Sequence, residues 1–183
     1  ETRLIGGNRG SHLVMERPDL AGALGEAMLY FETHDHRACL VYALDGRMIL
    51  LGTTDLRDAD PDGATCTEEE IDYLFRVLVE ILPDAAPARD QIRYVFSGVR
   101  PLPRAQGGAA GGSAGAVSRD HAFVETPPAP GRPFPALTLV GGKWTTYRAC
   151  AAQMVDRAAG RLGIGARAST EDLPIGGGAG FPR

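Results

Sequence analysis

Apolar positions along the chain recur at two periods, and the two periods separate strands from helices. Ser11 to Met15 (SHLVM) is a short strand candidate behind the turn-like GGNRG. Ala27 to Glu32, Ala38 to Leu44 and Arg47 to Thr53 form a firmer group of apolar runs, separated by THDHR and by Asp45-Gly46. Asp-Gly between apolar runs favours a type I′ turn, whose central residues need positive φ, so the last two runs are expected to pair as a hairpin. Ile71, Leu74, Phe75, Leu78 and Val79 then recur at helical spacing. Behind them Thr67 and Glu70 have the capping-box spacing, which predicts a helix from about Glu68 to Leu82. Ile92 to Val99 returns to alternating strand and stops at Arg100-Pro101, because proline cannot donate to a ladder. Ala122 to Thr126 and Leu137 to Val140 are two further strands around the connector PPAPGRPFP. Tyr147, Ala151, Met154, Val155, Ala158 and Leu162 predict a second helix over about Thr145 to Leu162, with Gly163 as its stop. The sum is an α+β layer arrangement, mostly antiparallel sheet flanked by two helices.

Two glycine-bearing stretches interrupt this pattern. In Leu137 to Arg148 (LTLVGGKWTTYR) a strand breaks at paired glycines and opens a helix. Such a helix start leaves backbone N–H groups free to face an anion or a partly negative oxygen, although the same pattern also describes ordinary connections. Gln106 to Ala116 (QGGAAGGSAGA) has almost no side chains to offset ordering entropy and is expected to be a mobile loop. It is no phosphate loop, since Ser118-Arg119-Asp120 follows the glycines without the lysine that motif needs.

Composition narrows the function class. With 183 residues, 44% apolar and 23% charged, and a formal net charge of -4, the chain can bury a real core and has no general pull toward nucleic acid. Cys39, Cys66 and Cys150 are widely spaced and form no CxxC pair, which argues against a disulfide framework or a zinc site and for a reducing, cytoplasmic setting. No apolar run reaches the length of a spanning helix, and no export signal is expected. The start at Glu1 and the linker-like LPIGGGAGFPR suggest a piece of a longer protein.

Several residues could carry chemistry. Arg100 and Arg119 stand at strand ends, where guanidinium forks suit a phosphate or carboxylate; the plain alternative is two surface arginines. His12 could move a proton near neutral pH or be a structural histidine. His34 and His36 alternate in a polar turn and read as solvated, with no metal assigned. Asp55 is expected to accept hydrogen bonds in a tight turn after Gly52-Thr53-Thr54. Lys143 is either solvated or a ligand contact.

Five motifs in order, RGSHLV (9–14), LGTTD (51–55), YVFSGVRPL (94–102), SRDH (118–121) and GGKWTTYR (141–148), resemble the series of FAD-dependent, quinone-linked glycerol-3-phosphate dehydrogenases. The resemblance implies the substrate-binding domain of a glycine-oxidase-like flavoprotein over 1–135, the last strand and helix of its FAD domain over 136–163, and a linker over 164–183. The family's GxGxxG unit for the FAD pyrophosphate does not occur in this sequence.

The implied reaction oxidises sn-glycerol 3-phosphate at C2 to dihydroxyacetone phosphate, with hydride passing to FAD and electrons to a membrane quinone. Carried onto this chain, Arg100 and Arg119 would hold substrate oxygens and stabilise charge at C2. His12 is the candidate for proton transfer. Lys143 would reach substrate or flavin, and the turn of Gly141, Gly142, Lys143, Trp144, Thr145 and Thr146 would face the flavin ring. Trp144 departs from the aliphatic usual there. A parent enzyme of this kind would be cytoplasmic and peripheral to the inner membrane. The isolated chain is expected to lose FAD and to be inactive, and its uncovered apolar face could drive homo-oligomers. The alternatives are a related FAD oxidase or dehydrogenase acting on an amino acid or 2-hydroxy acid, and a non-catalytic binding module.

Overall fold

In a computed structural model, which describes residues 4–58, 60–102, 120–165, 169–174 and 180, the chain divides into two units, Glu1–Val117 and Ser118–Arg183. Each has its own antiparallel sheet. The α+β class expected from the periodicity is the class observed.

The first unit is built on β1 (Asn8–Glu16), longer than the five-residue strand expected. Its neighbours are β4 (Met48–Gly52) and the short β5 (Leu56–Arg57) along one edge and β6 (Ile92–Arg100) along the other. The sheet continues outward through β3 (Ala38–Ala43) to β2 (Met28–Glu32). Leu13, Met15, Val41, Ile49 and Leu51 point to one face and are fully buried there. They pack with Ile71, Leu74 and Leu78 of α2 (Glu68–Ile81). Each fully buried leucine contributes roughly 1.5–3 kcal/mol of apolar burial. Thr67 and Glu70 form the expected capping box at the start of α2, Thr67 Oγ1 accepting from the Glu70 N–H at 3.3 Å and Glu70 Oε2 from the Thr67 N–H at 3.0 Å.

Two expectations for this unit need correction. A third helix, α1 (Pro18–Leu24), covers the same face through Ala21. At seven residues it is too short to show a period. Its signals are Pro18 in the first turn, where a missing N–H costs nothing, and Gly25 at φ 55 beyond its end. Arg17 grips the Asp19 carboxylate at 2.9 and 2.7 Å and holds that carboxyl down at about 2. Secondly, β3 and β4 do pair as a hairpin, but neither Asp45 nor Gly46 has positive φ, so the turn is not type I′. The Asp45 carboxylate accepts instead from the N–H groups of Arg47 and Met48, both at 2.7 Å, and closes the turn through its side chain.

In the second unit β7 (His121–Thr126) pairs with β8 (Ala136–Gly141), and a 3-10 turn at Trp144–Thr146 leads into α3 (Tyr147–Arg161). The proline-rich connector is closed by a bridge between Ala129 and Arg132, whose guanidinium donates to the carbonyls of Thr126, Pro127 and Phe134. On α3 the periodic apolar positions are not buried as a stripe. Cys150 is buried, whereas Tyr147, Val155 and Leu162 are exposed. A two-stranded hairpin is too narrow to cover a full helix face.

Candidate functional site

Side chains alternate along β1, so the face opposite the core receives Asn8, Gly10 and His12. Register brings Arg100, Gly98 and Phe96 of β6 opposite these three. On the other side of β1, Gly52 lies opposite His12. Two glycines make room for the His12 and Arg100 side chains. A Cβ on Gly52 would lie 2.1 Å from His12 Cδ2, and one on Gly10 would lie 2.1 Å from Arg100 Nη2. Glycine inside a strand here marks the close approach of a side chain to backbone.

His12 is half-buried, and its ring lies parallel to Phe96 at 4.8 Å between centroids and 6° between planes. Its Nδ1 is buried with no hydrogen-bond partner among the described residues. Burial first, and the positive charge of Arg100 second, lower its pKa from the ordinary histidine range. Neutral pH therefore finds an uncharged imidazole beside a guanidinium. Arg100 is held from two sides. Its Nη2 donates to Thr53 Oγ1 at 3.0 Å, and its Nη1 lies 3.5 Å from Asp55 Oδ1. Asp55 in turn accepts from Asn8 Nδ2 at 3.2 Å. Its partners are thus side chains distant in sequence rather than the tight-turn N–H groups expected. A fixed cation next to a neutral base can hold an anionic or partly negative oxygen and take a proton from a neighbouring hydroxyl.

Beneath these residues, on the core side, runs a buried polar network. Glu70 accepts from Ser11 Oγ at 2.8 Å and Thr54 Oγ1 at 2.6 Å, and lies 3.2 Å from Arg9 Nη2. Burial alone would raise the Glu70 carboxyl, but bonds from Thr54, Thr67 and Ser11 and the charge of Arg9 bring it below the usual glutamate range.

In the second unit the Gly-Gly turn after β8 has a demanding backbone. Gly141 and Gly142 have φ 75 and 99, a region that suits glycine. Thr146 Oγ1 accepts from the Lys143 N–H at 3.4 Å and donates to the Lys143 carbonyl at 3.0 Å, and the Thr146 N–H also closes on that carbonyl. The N–H groups of Trp144 and Thr145 have no acceptor within such a turn. Trp144 is 90% exposed, near Tyr147 with ring centroids 6.2 Å apart.

Of the residues singled out in the sequence, the structure brings His12 and Arg100 together in the first unit, while Gly141 to Thr146 form the turn of the second. Arg119 and the loop at Gln106 to Ala116 lie outside the described residues. His34 and His36 are exposed, and no metal-binding cluster occurs among the described residues. Asn8, Thr53 and Phe96 carry no expectation from sequence. The signal for them was the in-strand glycines Gly10 and Gly52, whose missing side chains imply that something else fills the space.

Comparison with known proteins agrees with this architecture. The family described as FAD dependent oxidoreductase matches residues 2–148. A glycerol-3-phosphate dehydrogenase of Synechocystis sp. is 34% identical over 163 residues, 88% of this chain and 28% of that protein. A D-erythritol 1-phosphate dehydrogenase of Brucella abortus is 31% identical over 152 residues, 81% of this chain and 28% of that protein. The crystal structure of a glycerol-3-phosphate dehydrogenase from Bacillus halodurans, complexed with FAD, superposes with a TM-score of 0.69 at 22% identity, over 95% of this chain and 30% of that one. The chain thus spans under a third of the length of these relatives.

Proposed function

The chain belongs to the FAD dependent oxidoreductase family, and on that premise we propose that it supplies the substrate-holding face of a dehydrogenase of sn-glycerol 3-phosphate. The observation that carries the reading is the pairing on one face of a neutral His12, its Nδ1 buried without a partner among the described residues, with an Arg100 fixed by Thr53 and Asp55. Arg100 holds the phosphate or the oxygen at C2, and its charge offsets the negative charge that grows there. His12 takes the proton of the C2 hydroxyl.

The residues present fit one edge of a flavin. The left-handed Gly141-Gly142 turn keeps side chains away and leaves the N–H groups of Trp144 and Thr145 for an electron-rich rim. FAD, when bound, supplies the acceptor for the C2 hydride. The dihydroxyacetone phosphate product leaves with two electrons fewer than the substrate, and these pass on to a membrane quinone. In this reading, which follows from the resemblance alone, the enzyme is cytoplasmic and peripheral to the inner membrane. The chain alone, lacking a GxGxxG unit, does not retain FAD and is inactive; a yellow purified chain with a flavin band overturns this.

The test is Arg100→Gln in the FAD-loaded enzyme that contains this chain. Flavin reduction by glycerol 3-phosphate should lose at least a hundredfold in kcat/KM, and unchanged kinetics would sink the assignment. A second reading is favoured by the Brucella relative: a longer polyol phosphate with the same phosphate and secondary alcohol. Parallel assays with D-erythritol 1-phosphate, glycerol, lactate and glycine separate the two from each other and from an amino-acid or 2-hydroxy-acid enzyme. Quinone-analogue reduction against oxygen uptake settles the acceptor.

A further inference from the structure

We infer that Glu70 is a positioning residue for Arg100, acting through Thr54 and Ser11 from the opposite face of the sheet. The inference rests on the reading of Arg100 as a substrate-holding group.

The two oxygens of Glu70 have separate tasks. Oε2 accepts the Thr67 N–H and completes the cap of α2. Oε1 takes no part in the cap; it receives Ser11 Oγ and Thr54 Oγ1. Thr54 Oγ1 also accepts the Ser11 N–H at 2.9 Å, and Ser11 Oγ lies 2.7 Å from Ser97 Oγ. One carboxylate oxygen therefore ties together β1, β6 and the turn after β4.

Each of these three tie points is adjacent in sequence to site residues on the other face. Thr54 stands between Thr53 and Asp55, the two residues that hold Arg100. Ser97 lies on the strand that carries Arg100, between Phe96 and Gly98. Ser11 stands between Gly10, over which Arg100 lies, and His12. In β1 and β6 successive residues face opposite ways, so fixing Ser11 and Ser97 fixes the direction of their outer neighbours, and fixing Thr54 anchors the turn between Thr53 and Asp55. The cap already has Thr67 at its N-cap position, and the glutamate of a capping box works from an exposed position, so the cap by itself does not call for a carboxylate 3% exposed. A buried charge is tolerated only when its partners are complete, which makes this network rigid.

The experiment compares Glu70→Ala, Thr54→Val and Arg100→Gln, and each of the first two combined with the third, in the FAD-loaded enzyme. Both kcat/KM for glycerol 3-phosphate and the thermal midpoint are read. Thr54→Val keeps the α2 cap and the Ser11 bond to Oε1 and removes the Thr54 hydroxyl's bonds to Oε1 and to the Ser11 N–H, so it decides the matter if Glu70→Ala does not fold. Each single variant should lower kcat/KM at least fivefold. In the Arg100→Gln background the same substitution should change it less than twofold, because its effect runs through Arg100. Equal losses in both backgrounds would show a general structural role and overturn the inference. So would wild-type kinetics in Thr54→Val or Glu70→Ala while Arg100→Gln is impaired. Unimpaired Arg100→Gln removes the reading of the site, and the inference falls with it.

Discussion

The two units present their candidate groups in opposite ways. In the first, His12 and Arg100 are side chains whose positions are fixed by partners far away in sequence, Thr53 and Asp55 for Arg100 and Phe96 for His12. In the second, the turn at Gly141 to Thr146 presents main chain, and its largest side chain, Trp144, is almost wholly exposed. A side-chain site needs a core beneath it, and the first unit has one, with the buried Glu70 carboxylate on the same side of the sheet. A main-chain site needs only the right φ, which two glycines provide. The contrast predicts that substitutions in the first unit act through crowding and charge, and in the second through backbone strain alone.

The largest effect is expected where the first unit has no spare room. Gly52→Ala puts a Cβ 2.1 Å from His12 Cδ2 and 2.8 Å from its Cγ, so the imidazole must leave its place on Phe96. Displacing a reacting group by about 1 Å costs on the order of a hundredfold, and kcat/KM of the FAD-loaded enzyme should fall at least that far. A Gly52→Ala enzyme with normal turnover would mean that His12 is not the proton acceptor.

That outcome also bears on what could be read from sequence. The strands of the hairpin, α2 with its cap and the β8 to α3 connection were legible because period and capping are local. Alpha-1 was not, since PDLAGAL is two turns long and its period never repeats. The turn at Asp45 was misassigned because Asp-Gly carries two signals, positive φ and a carboxylate that can bind its own backbone, and only the fold selects between them. At the site, motif residues His12 and Arg100 were legible singly. Their joining depends on the β1 to β6 register, and the place of Thr53 and Asp55 on the pairing of β1 with β4 before them, long-range pairings at which the in-strand glycines hint only as space to be filled.

A smaller effect concerns charge. Burial is the larger cause of the lowered His12 pKa and Arg100 the second. Arg100→Gln therefore leaves part of the shift and removes part. With His12 as the proposed proton acceptor the neutral imidazole is the active form, so kcat/KM should fall as pH drops through its pKa. Losing the Arg100 charge raises that pKa and should move the acidic limb to higher pH. A limb that stays or moves down would break the coupling. The same lowered pKa has a stability consequence. Unfolded histidine titrates near about 6.5, so below that pH the unfolded state binds the extra proton and the first unit loses stability as pH falls toward the folded value. Glu70, also lowered, adds a second loss below its unfolded value of about 4.3. Urea midpoints across about pH 3 to 8, a range that spans both unfolded values, should decline in that order, and His12→Gln should remove the earlier decline.

In the second unit the expected effects are smaller and of another kind. At Gly142 an added Cβ meets only ordinary contacts, 3.5 Å to His121 Cβ and 3.9 Å to Cys150 Sγ, so crowding costs nothing. Its φ of 99 is what an alanine would resist, by about 1–2 kcal/mol. Gly142→Ala should lower the thermal midpoint while Gly98→Ala, where nothing lies within 4 Å and φ is ordinary, changes it less. If both glycines respond alike, backbone strain is not the constraint.

The smallest effect is expected at the most conspicuous residue of the turn. Trp144 stands where the resemblance leads one to expect an aliphatic side chain, yet it is 90% exposed, and its nearby ring is the half-exposed Tyr147. Trp144→Leu should change stability by less than about 0.5 kcal/mol, the usual range for a surface position. It should also leave flavin retention by the full enzyme unchanged, because the N–H at position 144 survives any substitution except proline. Trp144→Pro removes that N–H while staying within the φ of a helix start. If flavin is lost in Trp144→Pro and kept in Trp144→Leu, the main chain is the ligand; if both lose it, the indole takes part, and the contrast between a side-chain unit and a main-chain unit no longer holds.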